Sequence, residues 1–351
     1  MLTKEINTIG LGSFFPKTNA ASLEEFDALR SIQNYALFYT GRHAIKHVLT
    51  LLQKRRNIRK IWLPKYYCQH VTSWLKTNFD GIDTYDIDPF FENSTLNFEE
   101  FATDEDVVIL NNFWGIYEYK IPTQTNRATF IEDHSHGWQS AACKESKADY
   151  CFASLRKTLP VPLGGILWQP NGQEKLSVDE HSITEDFSRV WNQIDKAMTL
   201  KQNFKAKAIG SVNEYLKSIG ETESFLHHQY TVIPVEKEHK AYLLKYISKD
   251  YNAVKNNNFK YIIKKIAPNS EFEILKKEKH TSFGLELVFK HRDSFDTLKQ
   301  HLIHNKIYPS ELWPDNSLDH HYKYALNLHI DFRYTEEAMD YIAAQINSWN
   351  S

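Results

Sequence analysis

The stretch DYCFASLRKTLPVPLGGILW, Asp149 to Trp168, places a lysine directly after an apolar run and then continues through two prolines and a glycine pair. This pattern predicts two strands joined by an irregular, stiffened connection. Ser154, Arg156 and Lys157 would then lie where the first strand ends. Because α/β proteins place reactive groups at strand ends, this segment is the first candidate for a functional site.

Short apolar runs around this segment predict further buried strands. They are KIWLP, GIDTYDID (81–88), DVVILNNFW (106–114), ATFIED (128–133), YCFASL (150–155) and GGILW (164–168). Helical spacing separates several of them, as in TGRHAIKHVLTLLQKRR and YYCQHVTSWLKTNF, where the predicted buried face begins at Tyr67. Continuous apolar strands with helices between them indicate an α/β fold whose sheet is largely parallel and flanked by helices.

The pattern changes in the second half of the chain. Helical spacing over 183–219 predicts one long helix that connects two domains. After it, the runs EFEIL, GLELVFK and ALNLHIDF predict strands, and TEEAMDYIAAQINSW predicts a helix capped by Thr335. At 351 residues the chain exceeds the usual size of one compact core. We therefore expect an N-terminal segment (1–30), a large α/β domain with the connecting helix (31–230) and a small C-terminal α+β domain (231–351).

Composition and charge restrict the class of function. A net charge of −2 provides no overall field to attract nucleic acid or an acidic membrane. No apolar run reaches the length of a membrane span, and the N-terminus lacks the layout of a secretion signal. The three cysteines, Cys68, Cys143 and Cys151, show no CxxC spacing and so suggest neither a disulfide framework nor a zinc knuckle. The sequence predicts a soluble cytoplasmic protein that binds neither nucleic acid nor membrane.

Two further motifs place polar groups where α/β domains bind phosphorylated cofactors. TGRHA (40–44) begins a helix, whose free backbone N–H groups suit a phosphate, although a glycine there is also ordinary turn chemistry. FIEDHSHGW (130–138) ends a strand in adjacent carboxylates followed by histidines. This second motif fits metal ligands, an acid/base or cofactor-orienting cluster, or a polar loop satisfied locally. It has neither HExxH nor a two-His-one-carboxylate spacing, and we predict no metal site.

Single residues in these motifs also have ordinary interpretations. Lysine forms Schiff bases, and the place of Lys157 at a strand end argues against a merely solvated charge. Tyr66 and Tyr67 follow another predicted strand, where an aromatic side chain would either stack on a planar ring or pack in the core. The histidine pairs in LHHQY and DHHYK are interpreted as surface features.

Taken in order, these motifs resemble a known superfamily. A glycine-led helix start, an aromatic residue after a strand and proline, ED at a strand end, and S-x-x-K before a glycine pair are similar to the fold type I pyridoxal-phosphate enzymes, the aspartate aminotransferase superfamily. Within it the chain looks most like the DegT/DnrJ/EryC1/StrS sugar aminotransferases. The resemblance covers 39–168 well and the C-terminal part loosely, through IYPSELWP and LNLHIDFRY.

The chain also departs from that family. Sugar aminotransferases have small residues and a threonine at the phosphate helix, where this chain has Arg42 and His43. Their serine-to-lysine interval is longer than the S-x-x-K seen here, which is nearer to that of amino-acid aminotransferases. These departures bear on the phosphate site and on the substrate class.

The resemblance implies a role for each matching residue. Lys157 would hold pyridoxal phosphate through a Schiff base and move a proton between substrate and cofactor, and Asp133 would pair with the pyridine nitrogen. His136 matches the residue beside the phenolic oxygen of the ring, and Tyr67 matches the aromatic residue that stacks on the ring.

Further roles concern the phosphate and the substrate. The backbone at Gly41, Arg42 and His43, with the hydroxyl of Ser154, would hold the phosphate. Arg333, in HIDFRY, matches loosely the small-domain arginine that grips a substrate carboxylate, and a structural ion pair is the alternative.

The implied activity is that of an aminotransferase that passes an amino group from an amino acid to a keto-sugar, including a nucleotide-linked one. The resemblance further implies a homodimer with shared active sites. The alternatives are a pyridoxal-phosphate-dependent dehydratase, an amino-acid aminotransferase, or a binding protein that keeps the fold without the cofactor.

Overall fold

The computed structural model describes residues 10–349, except 13, 27, 30, 31, 33, 92–95, 173, 174, 177–184, 208–211 and 277–282. The first part of the chain forms β1 (Leu11–Gly12), β2 (Tyr35–Phe38), α1 (Gly41–Arg55), β3 (Ile61–Pro64), α2 (Gln69–Asn78), β4 (Ile82–Tyr85), β5 (Val107–Asn111), β6 (Thr129–Asp133), α3 (Ala141–Glu145), β7 (Tyr150–Ser154) and β8 (Gly165–Trp168). The second part forms α4 (Glu185–Lys207), α5 (Val212–His227), α6 (Lys237–Ile247), α7 (Asn252–Ile262), β9 (Phe272–Ile274), β10 (Leu285–Phe289), α8 (Arg292–His304), β11 (Ile307–Tyr308), β12 (Ser310–Glu311), β13 (Tyr324–Leu328) and α9 (Glu336–Ser348).

A seven-stranded sheet runs through the first part of the described chain, in the order β2-β8-β7-β6-β5-β3-β4. Strands β3 to β7 are parallel to one another, and β8 is antiparallel to both β7 and β2. The prediction of a largely parallel, helix-flanked sheet is confirmed. Parallel strands end at the same edge of a sheet, so the last residues of β5, β6 and β7 lie together: Asn111, Asp133 and Ser154.

The two faces of this sheet contact different apolar cores. Ile131 of β6 packs in the core that contains the buried face of α1, whereas Phe130 belongs to the core on the other side. Successive side chains of a strand point to opposite faces. Asp133 therefore shares the α1 face with Ile131, and Glu132 lies on the opposite face.

A second, antiparallel sheet of four strands lies in the C-terminal part of the described chain, in the order β12-β13-β10-β9. It shares an apolar core with α8 and α9, to which Leu285, Leu302 and Ile342 contribute. The predicted smaller α+β unit is thus confirmed, while the boundaries near 30 and 230 stay predictions. Strand β1 pairs in parallel with β11, which attaches the N-terminal residues to this unit.

Some predicted elements differ from the observed ones. The single helix predicted over 183–219 is two helices, α4 and α5. They pack against each other and so bury apolar faces that one straight helix would leave uncovered. Residues 183, 184 and 208–211 lie outside the described chain. The helix predicted for YYCQHVTSWLKTNF (66–79) begins only at Gln69. Thr335 precedes α9, but its side chain makes no capping hydrogen bond.

Helix α7 and strand β2 were not predicted. Strand β2 lies at the edge of the sheet and pairs with β8, which is far from it in the sequence, so the pairing leaves no local pattern. None of the described helices combines the length and apolar character needed to cross a bilayer.

Candidate active site

The shared edge of β5, β6 and β7 opens on a cavity of about 400 Å³. Most of the predicted site residues line this cavity: Gly41, Arg42, Tyr67, Asp133, His136, Ser154 and Lys157. They come from four separate motifs in the sequence. The topology of the sheet brings these motifs together.

Asp133, at the end of β6, is buried and held by two donors. The hydroxyl of Tyr67 donates to its Oδ2 at 2.6 Å, and the backbone N–H of Ser135 donates to its Oδ1 at 2.9 Å. Burial, reinforced by the charge of Asp133, raises the pKa of Tyr67 well above its usual range, so the phenol keeps its proton. Each carboxylate oxygen accepts two hydrogen bonds, so Asp133 retains acceptor capacity for a ligand. The stacking role for Tyr67 stays a prediction.

Lys157 follows β7 in a short 3-10 turn, and its Nζ lies 3.3 Å from Nε2 of His136. The imidazole of His136 stacks among the rings of Trp114, Phe283 and Trp313, with centroid distances of 5.5, 4.4 and 5.5 Å. Burial, together with the charge of Lys157, lowers the pKa of His136 well below its usual value. The ring is therefore neutral, and a neutral imidazole nitrogen accepts a hydrogen bond from the lysine.

The TGRHA motif forms the start of α1, as predicted. Thr40 caps the helix, because its Oγ1 accepts a hydrogen bond from the backbone N–H of His43 at 3.1 Å. The first-turn amides of Gly41 and Arg42 have no acceptor within the helix, as is general at helix N-termini. Of the three predicted phosphate donors, the amide of His43 is therefore already engaged.

The side chain of His43 does not line the cavity. It is buried against the rings of Trp74 and Phe187, at centroid distances of 6.3 and 5.3 Å. Burial lowers the pKa of His43 to about 4. This histidine is a neutral part of the core behind the helix start.

Glycines allow the start of α1 to approach the ends of β7 and β8. A Cβ atom on Gly41 would lie 3.0 Å from Cβ of Ser154. A Cβ atom on Gly165 would lie 2.3 Å from the carbonyl oxygen of Thr40. The close approach explains why a glycine leads the helix and why a second glycine begins β8.

An ion pair that was not predicted lies at the outer end of the cavity. Arg156 donates to both carboxylate oxygens of Glu223 on α5, with an Nη2–Oε2 distance of 2.9 Å. Burial alone would raise the pKa of Glu223, but the charge and hydrogen bonds of Arg156 outweigh it and lower the pKa. Arg42 lies close enough to lower the pKa of Glu223 further. No spacing in the sequence shows that α5 crosses this edge of the sheet.

Histidines surround the mouth of the cavity. His70, His227 and His228 contribute to its lining, and the rings of His70 and His227 are 5.5 Å apart. His227 and His228 of LHHQY, interpreted from the sequence as surface features, therefore lie beside the candidate site. In DHHYK, by contrast, His320 pairs with Asp86 at 2.9 Å on the outside of the molecule.

Asn111 and Trp313 also line the cavity and were not predicted. Asn111 ends β5, and its side-chain nitrogen is buried without a hydrogen-bond partner among the described residues. The paired asparagines in DVVILNNFW, at the end of a predicted strand, were the available signal. Trp313 follows β12 and reaches the cavity from the small unit.

Arg333 lies outside the lining of the cavity. Its Nε and Nη2 donate to the two carboxylate oxygens of Asp331, both at 2.7 Å, and its guanidinium lies 4.3 Å from the ring centroid of Phe15. The geometry favours the structural ion pair over the substrate-binding role predicted for this arginine.

Comparison with known proteins places the fold. No family model matches the sequence, and no curated protein matches it. Solved structures do match: the sugar aminotransferase CalS13 from Micromonospora echinospora is 12% identical with a TM-score of 0.63, covering 97% of this chain and 100% of that one. The PLP form of Spr1654 from Streptococcus pneumoniae, proposed to be a sugar aminotransferase, is 12% identical with a TM-score of 0.59, covering 99% and 95%.

A DegT DnrJ EryC1 StrS aminotransferase from Brucella abortus is similar as well, at 11% identity and a TM-score of 0.53, covering 90% of this chain and 85% of that one. The chain therefore has the fold of the pyridoxal-phosphate-dependent aminotransferases. The sugar aminotransferases among the matches share this fold, which confirms the resemblance inferred from the motifs at the level of fold.

Proposed function

We propose that the protein is a pyridoxal-phosphate-dependent aminotransferase that passes an amino group from an amino acid to a keto-sugar, including a nucleotide-linked one. The observation that carries the proposal is the meeting of Lys157 and Asp133 at one cavity, at the ends of adjacent strands. The shared fold with sugar aminotransferases, one of them solved in a PLP form, supports it.

The groups in the cavity fit the chemistry of this cofactor. The start of α1 offers free amides and no Cβ at Gly41, which suits a phosphate. Asp133 offers a buried carboxylate for a protonated ring nitrogen. Two buried nitrogens, Nδ2 of Asn111 and Nδ1 of His136, lack partners among the described residues and are available to ligand oxygens. A volume of about 400 Å³ is within the usual range for small-molecule sites.

Bound pyridoxal phosphate supplies an aldehyde that joins to amines and a ring that draws electrons from the substrate carbon. Lys157 would hold the aldehyde carbon and would move a proton at the substrate Cα through its Nζ. Asp133, oriented by Tyr67 and Ser135, would keep a proton on the ring nitrogen. Neutral His136 would orient the lysine amine by accepting one of its hydrogen atoms.

The outer part of the cavity suits an anionic substrate. Arg42, His70 and His227 lie there beside the Arg156–Glu223 pair. The guanidinium of Arg42 at this end would bind the carboxylate of the amino donor or an anionic group on the acceptor. We also propose, from the resemblance, a homodimer whose copies share active sites, which sedimentation of the purified protein tests.

The first test is an absorbance scan from about 300 to 500 nm, with and without added pyridoxal phosphate, because the lysine-bound cofactor absorbs in this range. The wild type is compared with Lys157→Ala and with the control Lys76→Ala, which changes an exposed lysine of α2. We expect a cofactor band in the wild type and the control that Lys157→Ala loses. Absence of the band from wild type with cofactor in excess would overturn the proposal.

The second test identifies the reaction. Cofactor-loaded protein is incubated with single amino acids and with keto-sugars, and products are identified by mass. An amino-sugar together with a 2-oxo acid supports the proposal. Amino exchange between amino and oxo acids alone indicates an amino-acid aminotransferase, and loss of water from the sugar indicates a dehydratase.

One observation favours a second candidate, a binding protein without the cofactor. Glu223 already satisfies Arg156, the cation that follows the S-x-x-K serine, so a phosphate has to compete with a carboxylate in the same protein. The cofactor titration described above distinguishes the two functions, since a cofactor-free protein shows no saturable band.

A further inference from the structure

A second polar cluster lies on the face of the large sheet opposite the cavity. Glu132 and Cys151 are register partners on β6 and β7, so their side chains lie side by side on this face. His134 follows β6 by one residue and joins them. One donor atom from each of the three residues lies within 4.8 Å of the other two.

The three side chains are cut off from solvent and incompletely satisfied. Their exposed fractions are 3% for Glu132, 0% for His134 and 0% for Cys151. Both ring nitrogens of His134 lack a hydrogen-bond partner among the described residues, although Nε2 is 3.3 Å from Oε2 of Glu132. A fully buried imidazole normally has partners on both nitrogens, so this ring has room for a group that the described residues do not provide.

We propose that Glu132, His134 and Cys151 bind a divalent metal ion, with zinc as the first candidate. Thiolate, imidazole and carboxylate are the donors that zinc takes, and a soft sulfur ligand disfavours calcium and magnesium. Tetrahedral zinc, with bonds of about 2.0 to 2.3 Å, holds its ligand atoms roughly 3.3 to 3.8 Å apart. The observed cluster therefore reaches this geometry by closing by about 1 Å.

Ser146 completes the surroundings. Its hydroxyl donates to Glu132 and accepts a hydrogen bond from the thiol of Cys151 at 3.2 Å. It is the nearest candidate for a fourth ligand, with water as the alternative. When the sulfur–metal bond forms, the thiol proton of Cys151 leaves to solvent, and the charge of the thiolate balances part of the charge of the ion.

A cavity lies next to the cluster on the same side of the sheet. Ser146 lines a cavity of about 460 Å³ together with Trp138, Trp168 and Cys143. The ring of His134 stacks on that of Trp168 at a centroid distance of 5.5 Å, next to this cavity. An ion bound here would tie β6 to β7 directly behind Asp133, so its role would be to stabilise the sheet beneath the proposed active site.

The test is zinc binding by the full chain with its cofactor, measured by equilibrium dialysis and elemental analysis, with X-ray absorption at the zinc edge. Every cysteine of the chain is replaced in turn, as Cys68→Ser, Cys143→Ser and Cys151→Ser. Cys68→Ser is a necessary control because Cys68 lines the active-site mouth with three histidines, a second place where zinc would find a sulfur.

We expect tightly held zinc with one sulfur neighbour at about 2.3 Å. Cys151→Ser should lose this sulfur signal, and the other two variants should keep it. Zinc should also raise the unfolding temperature of the wild type. Glu132→Gln, which keeps the shape of the side chain, should weaken zinc binding at least tenfold. This variant tests the site if Cys151→Ser does not fold.

Two results would overturn the proposal. One is folded wild type that retains no zinc after dialysis. The other is zinc bound elsewhere. In that case the sulfur neighbour persists in Cys151→Ser and disappears in Cys68→Ser or Cys143→Ser, or the affinity for zinc is unchanged in Glu132→Gln. Neither depends on the aminotransferase proposal, because the readouts are metal content and the identity of the ligand atoms.

Discussion

Gly165, the first residue of β8, supports the start of α1 at the proposed phosphate site. A Cβ atom at this position would lie 2.3 Å from the carbonyl oxygen of Thr40, 2.5 Å from its carbonyl carbon and 2.8 Å from the amide nitrogen of Gly41. All three atoms belong to the backbone, so no side chain can rotate to make room. The substitution Gly165→Ala must therefore move the turn that begins α1, or move β8 away from it.

The size of the effect follows from these contacts. Overpacking in a well-packed interior costs about 1 to 3 kcal/mol and occasionally more, and a backbone that has to move by about 1 Å belongs at the upper end. We expect Gly165→Ala to lower the free energy of unfolding by about 3 kcal/mol, or by about 6 °C in unfolding temperature at about 2 °C per kcal/mol. Affinity for pyridoxal phosphate should fall at least tenfold, because a loss of about 1.4 kcal/mol of binding free energy at the displaced helix start is enough for that.

The assay is thermal unfolding combined with titration of pyridoxal phosphate followed by absorbance. The matched control is Gly220→Ala in α5, where an added Cβ meets nothing within 4 Å. Because alanine replaces glycine inside a helix, the control should gain about 0.5 to 1 kcal/mol. If Gly165→Ala unfolds at the wild-type temperature and binds the cofactor equally well, the account of the tight contact with Thr40 is incorrect.

Three further predictions concern single residues. Tyr67→Phe removes the donor to the buried carboxylate of Asp133 and should lower the free energy of unfolding, measured by urea titration, by about 1 to 3 kcal/mol. An unchanged free energy of unfolding would contradict the role given to this hydrogen bond. Glu223→Gln frees Arg156 for a phosphate and should tighten binding of pyridoxal phosphate a few-fold. The effect is modest because the side chains of Glu223 and Arg156 are 42% and 31% exposed. Weaker binding would show instead that Glu223 positions the arginine. His43 has a pKa of about 4 in the folded chain, against its ordinary 6.5. Between pH 6.5 and pH 4 the imidazole therefore takes up a proton only when the chain is unfolded. The free energy of unfolding should fall as the pH drops through this range, by up to about 1.4 kcal/mol per pH unit. His43→Gln should reduce this slope by about one proton, and an unchanged slope in pH-dependent urea unfolding would refute the assignment.

Much of the fold was predictable because strand and helix periods are local. The apolar run before Asp133 predicts a strand end, and the run before Lys157 predicts another, so a parallel sheet brings the two residues to one edge. The glycine pair and the glycine of TGRHA are also local features, and the sequence marked both as turns next to strands or helices. The residues that these glycines contact could not be predicted, because the approach of Gly165 to Thr40 joins segments far apart in the sequence.

The unpredicted parts depend on how separate elements meet. Glu223 and His227 reach the cavity because α5 folds back beside α4, and the sequence shows only that both segments are helical. The pairing of Glu132 with Cys151 depends on the alignment of β6 with β7, and a shift by one residue would place the two side chains on opposite faces. Spacing within FIEDHSHGW therefore gave no sign of a sulfur ligand.

The pairing of β1 with β11 has a consequence for the order in which the chain folds. The backbone N–H of Gly12 donates to the hydroxyl of Tyr334 at 2.7 Å, a contact between residues 322 positions apart. At a synthesis rate of about 5 to 20 residues per second, roughly 15 to 65 s pass before the ribosome has made both partners. The strands of the large sheet are complete long before then, so that sheet can assemble on the ribosome. Gly12 therefore reaches its contact with Tyr334 only long after it has been made.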